Sequence, residues 1–182
     1  MDSTQAIRPS SLLLLLPLAW GALVAVTIGV YGGMHQPTGH AVSIAGFSGP
    51  MPMKAWMTTG ALVLALIQIF SALVMWGRIP LNMPRIDVLH RWSGRLAFLL
   101  TLPVAFHCLY ALGSRYDSPR VMIHSIVGCF FYGIFTTKML ALPRRGIPSW
   151  AFAVLGGLAF TALVVLWLTS SLWFLTTFGV KF

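Results

Sequence analysis

Histidine is the residue type best suited to chemistry in this chain, because the other candidates are scarce. The 182 residues include three acidic residues, two cysteines and five histidines. Three carboxylates are too few to support paired-carboxylate catalysis of the glycosidase kind, and they argue against most other hydrolytic mechanisms. The positions of the histidines relative to the hydrophobic segments therefore carry the functional argument.

Two of the histidines fall within hydrophobic segments. His107 lies about five residues before the end of the third segment, and His124 about four residues after the start of the fourth. A short loop joins these segments, which predicts that they form antiparallel neighbouring helices. The two histidines then share a depth, about 6 to 8 Å below the apolar boundary at about 1.5 Å of rise per residue. The others lie in a loop or at the entrance of the third segment: His35, His40 and His90.

Two imidazoles at one depth predict a shared ligand. A charged side chain there costs about 2.5 kcal/mol or more, and an unpaired neutral imidazole loses its hydrogen bonds to water. We expect haem b, whose iron would take His107 and His124 as axial ligands without the C-x-x-C-H motif of covalent attachment. Zinc is less favoured, because neither Cys108 nor Tyr110 is well placed to complete its ligand set. The alternative is that each histidine only makes a hydrogen bond between helices.

Residues near the two histidines fit a haem site. Gly128 is one helical turn beyond the second histidine, so its missing side chain would give the macrocycle room. Pro103 is one turn before the first histidine and should disrupt the backbone hydrogen bond there, which can kink the helix. Arg115 and Arg120, in and beside the connecting loop, could pair with the haem propionates.

Cysteine and methionine supply the remaining soft ligands. Cys108 and Cys129 differ in depth by about 8 Å along the helix axes, so we expect two free thiols rather than a disulfide. The loop from about Gly32 to Lys54 carries thioethers and imidazoles that could bind copper(I), although ordinary packing is the favoured interpretation. These side chains are Met34, His35, His40, Met51 and Met53.

The elements that must position these residues are membrane helices. Hydrophobic residues make up 58% of the chain and charged residues 8%, which excludes a water-soluble globule. Five apolar segments of about 20 residues predict an all-α polytopic bundle that forms one transmembrane domain over residues 1–182. The first segment is long for a signal peptide, so we expect it to be retained. The segments are 12–31, 56–76, 92–112, 121–140 and 150–174.

The basic residues predict the topology. The net charge is +9, but Lys and Arg flank the apolar segments, which is typical of lipid-headgroup anchors rather than of nucleic-acid binding. Eight basic residues against four favour a cytoplasmic N-terminus and an external C-terminus in the cell membrane. The cytoplasmic set is Arg8, Arg78, Arg85, Arg91, Arg95, Lys138, Arg144 and Arg145, and the external set is Lys54, Arg115, Arg120 and Lys181.

Two stretches resemble the haem-bearing core of ferric-reductase-like transmembrane b-type cytochromes. They are LHRWSGRLAFLLTLPVAFHCLYALG and RVMIHSIVGCFFYGIFTTKML, about a quarter of the chain. As a whole, the chain also resembles small actinobacterial membrane proteins of unknown function. The cytochrome resemblance implies a bis-histidine haem b at His107 and His124, and it offers His90 as a ligand of a second haem. The chain departs from that family because Lys138 stands where the fourth helix would carry its second histidine.

These observations together predict a membrane b-type cytochrome that transfers electrons through a bis-histidine haem near the outer face. An iron with both axial positions filled has no open site for substrate, so any enzymatic role would be that of an oxidoreductase or electron-transfer subunit. No flavin or nicotinamide domain is visible, so we expect a redox partner protein or a quinone to supply electrons. The alternatives are a non-catalytic subunit or assembly factor and, less favoured, a copper or small-ion transporter.

Overall fold

The computed structural model describes residues 10–40, 43–44, 46–114 and 116–182, which form helices and loops without a strand among them. Five of its continuous helices are long and apolar enough to cross a membrane, which confirms the predicted all-α membrane bundle. The elements are α1 (Leu15–Met34, preceded by a 3-10 turn, Ser11–Leu14), α2 (Pro50–Met75), α3 (Ile86–Phe106), α4 (Pro119–Ala141), α5 (Ser149–Trp167) and α6 (Trp173–Phe178). Two π-helical turns extend them: His107–Leu112 continues α3, and Leu168–Leu172 joins α5 to α6.

The helix starts differ most from the predicted segments. α2 begins at Pro50 rather than near 56, and α3 begins at Ile86 rather than near 92. Hydropathy misses these turns because they carry Pro and charged residues, which a first helical turn tolerates well. α4 begins at Pro119, two residues before the predicted segment, and the Ser118 hydroxyl caps it by accepting a hydrogen bond from the Val121 amide at 3.4 Å.

The helices pack as α2 against α3, and as α4 between α1 and α5. In the described part of the chain α3 and α4 have little close backbone contact, so the predicted neighbours meet mainly through large side chains. The Phe98 and Phe135 rings stack at 3.9 Å, and the Tyr132 hydroxyl donates to the Thr101 carbonyl at 3.0 Å. These pairs fix an antiparallel register between the two helices.

That register can be extended toward the loop between α3 and α4. Each step along α3 is matched by an equal step back along α4, which brings His107 opposite Ile126. His107 and His124 therefore differ in depth by only about 3 Å along the helix axes. We call this end of the bundle the His107 end, and the opposite end the His90 end.

Glycines set the distance between α1 and α4. A Cβ atom on Gly21 would overlap the Thr137 hydroxyl and lie 2.5 Å from the Gly133 carbonyl oxygen. A Cβ on Gly133 would in turn lie 3.0 Å from the Ala25 Cβ. Small residues that let helix backbones approach closely are the usual basis of helix association in membranes.

We expect Gly21→Ala to lower the stability of the bundle by about 1 to 3 kcal/mol, because the added methyl group forces α1 away from α4. Gly157→Ala in α5 is the matched control, since a Cβ there meets nothing within 4 Å. Thermal unfolding in detergent measures both variants. Equal melting temperatures for the two would contradict the close α1–α4 contact.

Candidate functional site

A cavity of about 430 Å³ lies at the His107 end of the bundle. All five membrane helices contribute to its wall, and its volume is within the range of small-molecule and cofactor sites. Most of the lining is apolar, and few of the side chains can ionise or bind a metal. Those side chains are Met51, Lys54, Cys108, Asp117, Arg120, His124, Cys129 and Tyr132.

A π turn shapes one side of this cavity. Pro103 has no N–H, and the α-helical pattern of α3 ends one turn later, where the His107 amide faces the carbonyls of Pro103 and Val104. α3 continues as an α-helix past Pro103 to Phe106, and a π-helical turn, His107–Leu112, follows it. Such turns are rare and frequently occur at functional sites.

His124 is hydrogen-bonded to Thr169 through Nδ1, at 2.9 Å from the hydroxyl. When the Thr169 hydroxyl donates to the Val165 carbonyl, which lies 2.7 Å away, its oxygen accepts from Nδ1–H of His124. The Nε2 atom of His124 then carries a lone pair, and it has no hydrogen-bond partner among the described residues. A neutral imidazole with Nδ1–H fixed by a neighbour is the form that binds a metal through Nε2.

His107 is buried at the same end, with 2% of its surface exposed. Its Nδ1 atom has no hydrogen-bond partner within the part of the chain that the structure describes. The side chain is not among those that line the cavity, although the next residue, Cys108, is. The structure therefore brings the two histidines to similar depths and places His124 alone at the cavity wall.

The remaining residues of the predicted haem site lie at the same cavity, apart from Arg115, which falls outside the described residues. Gly128 lines the cavity, and a Cβ atom there would be 3.9 Å from the Leu166 side chain, in ordinary contact. Arg120 donates to the Thr169 carbonyl at 2.6 Å and stacks 3.8 Å from the centre of the Trp173 ring. These two contacts hold the guanidinium in place at the cavity wall.

Lys54 is the residue of this site that sequence reasoning missed. It was assigned to the outer loop as a lipid anchor, but it lies inside α2 with 9% of its surface exposed, and it lines the cavity. It therefore shares the cavity wall with His124. The sequence did contain an indication of this position. Pro50 and Pro52 are typical of a first helical turn, and they would place the start of α2 before Lys54.

His90 lies in a different polar cluster, at the opposite end of the bundle. The Ser71 hydroxyl donates to the Gln68 carbonyl, so it accepts from Nδ1–H of His90 at 2.8 Å. The Gln68 amide donates to the carbonyl of His90 and to the Ser93 hydroxyl. Gln68 also fills the space beside Gly94, where a Cβ atom would lie 3.0 Å from it. This packing favours a bracing role for His90 over binding of a second haem.

Lys138, the other candidate for a second haem, is half-buried on α4. Its ammonium would lie 3.9 Å from a Cβ atom placed on Gly156 of α5. Among the described residues no carboxylate lies within ion-pair distance of it. A snorkelling lysine remains the simpler interpretation.

His35 and His40 support the loop that follows α1. The His35 ring stacks between those of Tyr31 and Tyr110, and its Nε2 atom is 3.2 Å from the Tyr110 carbonyl. The ring of His40 contacts the Thr38 carbonyl at 2.9 Å. Both histidines thus have local structural partners. No group of three or more His, Cys, Asp or Glu that could hold a metal occurs in the described ranges.

Cys108 and Cys129 are free thiols, as predicted. Both line the cavity and are half-buried. A sulfur atom at each of these positions adds small, polarisable surface to an otherwise aliphatic and aromatic wall.

The sequence model of a family described as "Family of unknown function (DUF6529)" matches residues 14–182. The chain belongs to the DUF6529 family. No curated protein and no solved structure matches it. The resemblance of this DUF6529 protein to ferric-reductase-like cytochromes is not tested by these findings and stays a prediction.

Proposed function

We propose that this DUF6529 protein is a membrane b-type cytochrome, with haem b at the His107 end of the bundle. The observation that carries the proposal is the place of His124 in the cavity wall, with Nδ1 hydrogen-bonded to Thr169 and Nε2 without a hydrogen-bond partner among the described residues. His90 makes a similar contact from Nδ1 to the Ser71 hydroxyl, but it does not line the cavity, whereas His124 does.

The residues present fit a haem in several respects. The cavity is largely apolar, as a porphyrin requires, and it carries the cations Lys54 and Arg120 for propionates. Gly128 leaves space on the helical face of His124. His107 supplies the second imidazole in this proposal, because it is buried at nearly the same depth with an unpartnered ring nitrogen. Its side chain must turn from its present place beside the cavity toward the interior.

The protein's own groups would bind the haem and separate it from water. Haem b supplies a one-electron redox couple when bound, and two imidazole ligands leave no position for a substrate. Thr169 holds the ring of His124, while Arg120 and Lys54 place positive charge beside the site. The apolar wall excludes water. Electron transfer then requires a donor and an acceptor outside the chain, either a redox protein or a quinone.

A redox spectrum of the purified protein tests this function. We expect a dithionite-reduced minus oxidised difference spectrum of low-spin haem b that does not change when carbon monoxide is added, because both axial positions are filled. A carbon monoxide adduct would contradict bis-histidine ligation. A colourless protein without metal would favour the subunit or assembly-factor alternative, and stoichiometric copper would favour the transporter.

We also propose a cytoplasmic N-terminus and an external C-terminus. Lys54 is buried inside α2, so it adds no loop charge to the external side, and the asymmetry in basic residues becomes larger. Arg8 of the cytoplasmic set lies outside the described residues. The His107 end, with the loop between α3 and α4, faces outward in this arrangement.

Single cysteines at Ser43 and Asn82 test the orientation, in a background in which Cys108 and Cys129 are replaced by Ala. Both positions are exposed, in the first and second loops. An impermeant thiol reagent should label Ser43→Cys in intact cells and Asn82→Cys only after lysis. Labelling of Asn82→Cys alone in intact cells would reverse the topology, and lysed cells control for accessibility.

A further inference from the structure

We infer that Lys54 forms a carboxylate-binding site in the wall of the cavity. Under the proposed function, on which this inference rests, the carboxylate is a propionate of haem. The sequence analysis assigned propionate binding to Arg115 and Arg120, and the structure adds a cation that is more deeply buried than Arg120.

The surroundings of Lys54 favour the binding of an anion. Its side chain is 9% exposed, lines the cavity, and has no carboxylate within ion-pair distance in the described part of the chain. Burying a cation without a partner is costly, and mutual attraction with an anion offsets that cost. Lys54 also lies near the N-terminus of α2, where the helix dipole already favours negative charge.

The other charged groups at the cavity leave this role to Lys54. Asp117 is exposed, at the rim of the cavity. Arg120 is half-buried, and its guanidinium is already engaged by the Thr169 carbonyl and the Trp173 ring. Lys181 is exposed near the C-terminus, and a role as a lipid anchor is enough to explain it. Lys54 differs from it in burial and in its place in the cavity wall.

Metal-free protoporphyrin IX is the probe that isolates this contact, because it has the carboxylates of haem but no iron to ligate. Binding is followed by quenching of tryptophan fluorescence in haem-free protein, expressed without a haem supply, and repeated with the dimethyl ester, whose carboxylates are blocked. We expect Lys54→Met to weaken binding of the diacid at least tenfold and to leave binding of the ester unchanged. Lys54→Arg should retain the preference for the diacid, and Lys181→Met should behave as the wild type.

The outcomes separate this inference from the proposed function. If the wild type carries low-spin haem but Lys54→Met keeps the full preference for the diacid, the carboxylate site is wrong and the cytochrome stands. If oleate binds with the same dependence on Lys54 while protoporphyrin IX does not bind, the carboxylate site stands and the cytochrome is wrong. If neither carboxylate binds the wild type, both are wrong.

Discussion

His124→Ala should leave a folded, membrane-inserted protein without low-spin haem. The substitution removes the only imidazole among the described residues of the cavity wall. His107→Ala should also lose the low-spin spectrum, since His107 would be the second ligand of the iron. Absorption spectra of variants expressed with ample haem supply measure both effects.

Two controls make this result specific. His90→Ala removes a histidine that is half-buried like His124 but lies at the other end of the bundle. Its haem content should stay near the wild-type level. Leu109→Ala enlarges the cavity without removing a ligand, and it should keep the low-spin spectrum. Retention of a bis-imidazole spectrum in both His124→Ala and His107→Ala would refute the ligand assignment. Loss of haem in His90→Ala would instead point to a site at the His90 end.

Gly128→Leu should reduce haem occupancy severely without unfolding the protein. A Cβ atom at Gly128 would be only in ordinary contact with Leu166, so a larger side chain extends into the cavity rather than into a neighbouring helix. Gly128→Ala adds a methyl group that the structure accommodates, and should keep most of the haem. The expected order of occupancy is therefore wild type, Ala, then Leu, measured as haem per protein.

Thermal unfolding of the same variants checks that packing is preserved. Because Ala and Leu favour helix over Gly by about 1 kcal/mol, the haem-free variants should be at least as stable as the haem-free wild type. Full haem occupancy in a stable Gly128→Leu protein would show that the macrocycle does not lie against this face of α4. A large loss of stability in Gly128→Leu would show instead that the face packs against a helix.

The sequence predicted the bundle well because hydrophobicity is a local property of each segment. It also located the pair His107 and His124, since counting residues from a short loop gives depth without any tertiary information. It misplaced Lys54 because the charge and prolines in the first turn of α2 lower the hydropathy of a segment that is nevertheless helical.

What could not be predicted depends on contacts between distant parts of the chain. Thr169, which is hydrogen-bonded to His124, lies 45 residues away in the π turn after α5. Gln68 contacts the backbone of His90 from 22 residues upstream. The separation of α3 and α4 by a cavity likewise follows from the packing of each helix against a different partner, α2 or α1 and α5. Hydropathy and spacing contain none of this information.

Haem content of the purified wild-type protein is the most direct test of the central claim. Expressed with ample haem supply and quantified as the pyridine haemochrome, the protein should contain one haem b per chain, with the absorption of a low-spin, bis-imidazole iron. A folded protein that contains no haem under these conditions would contradict the cytochrome assignment.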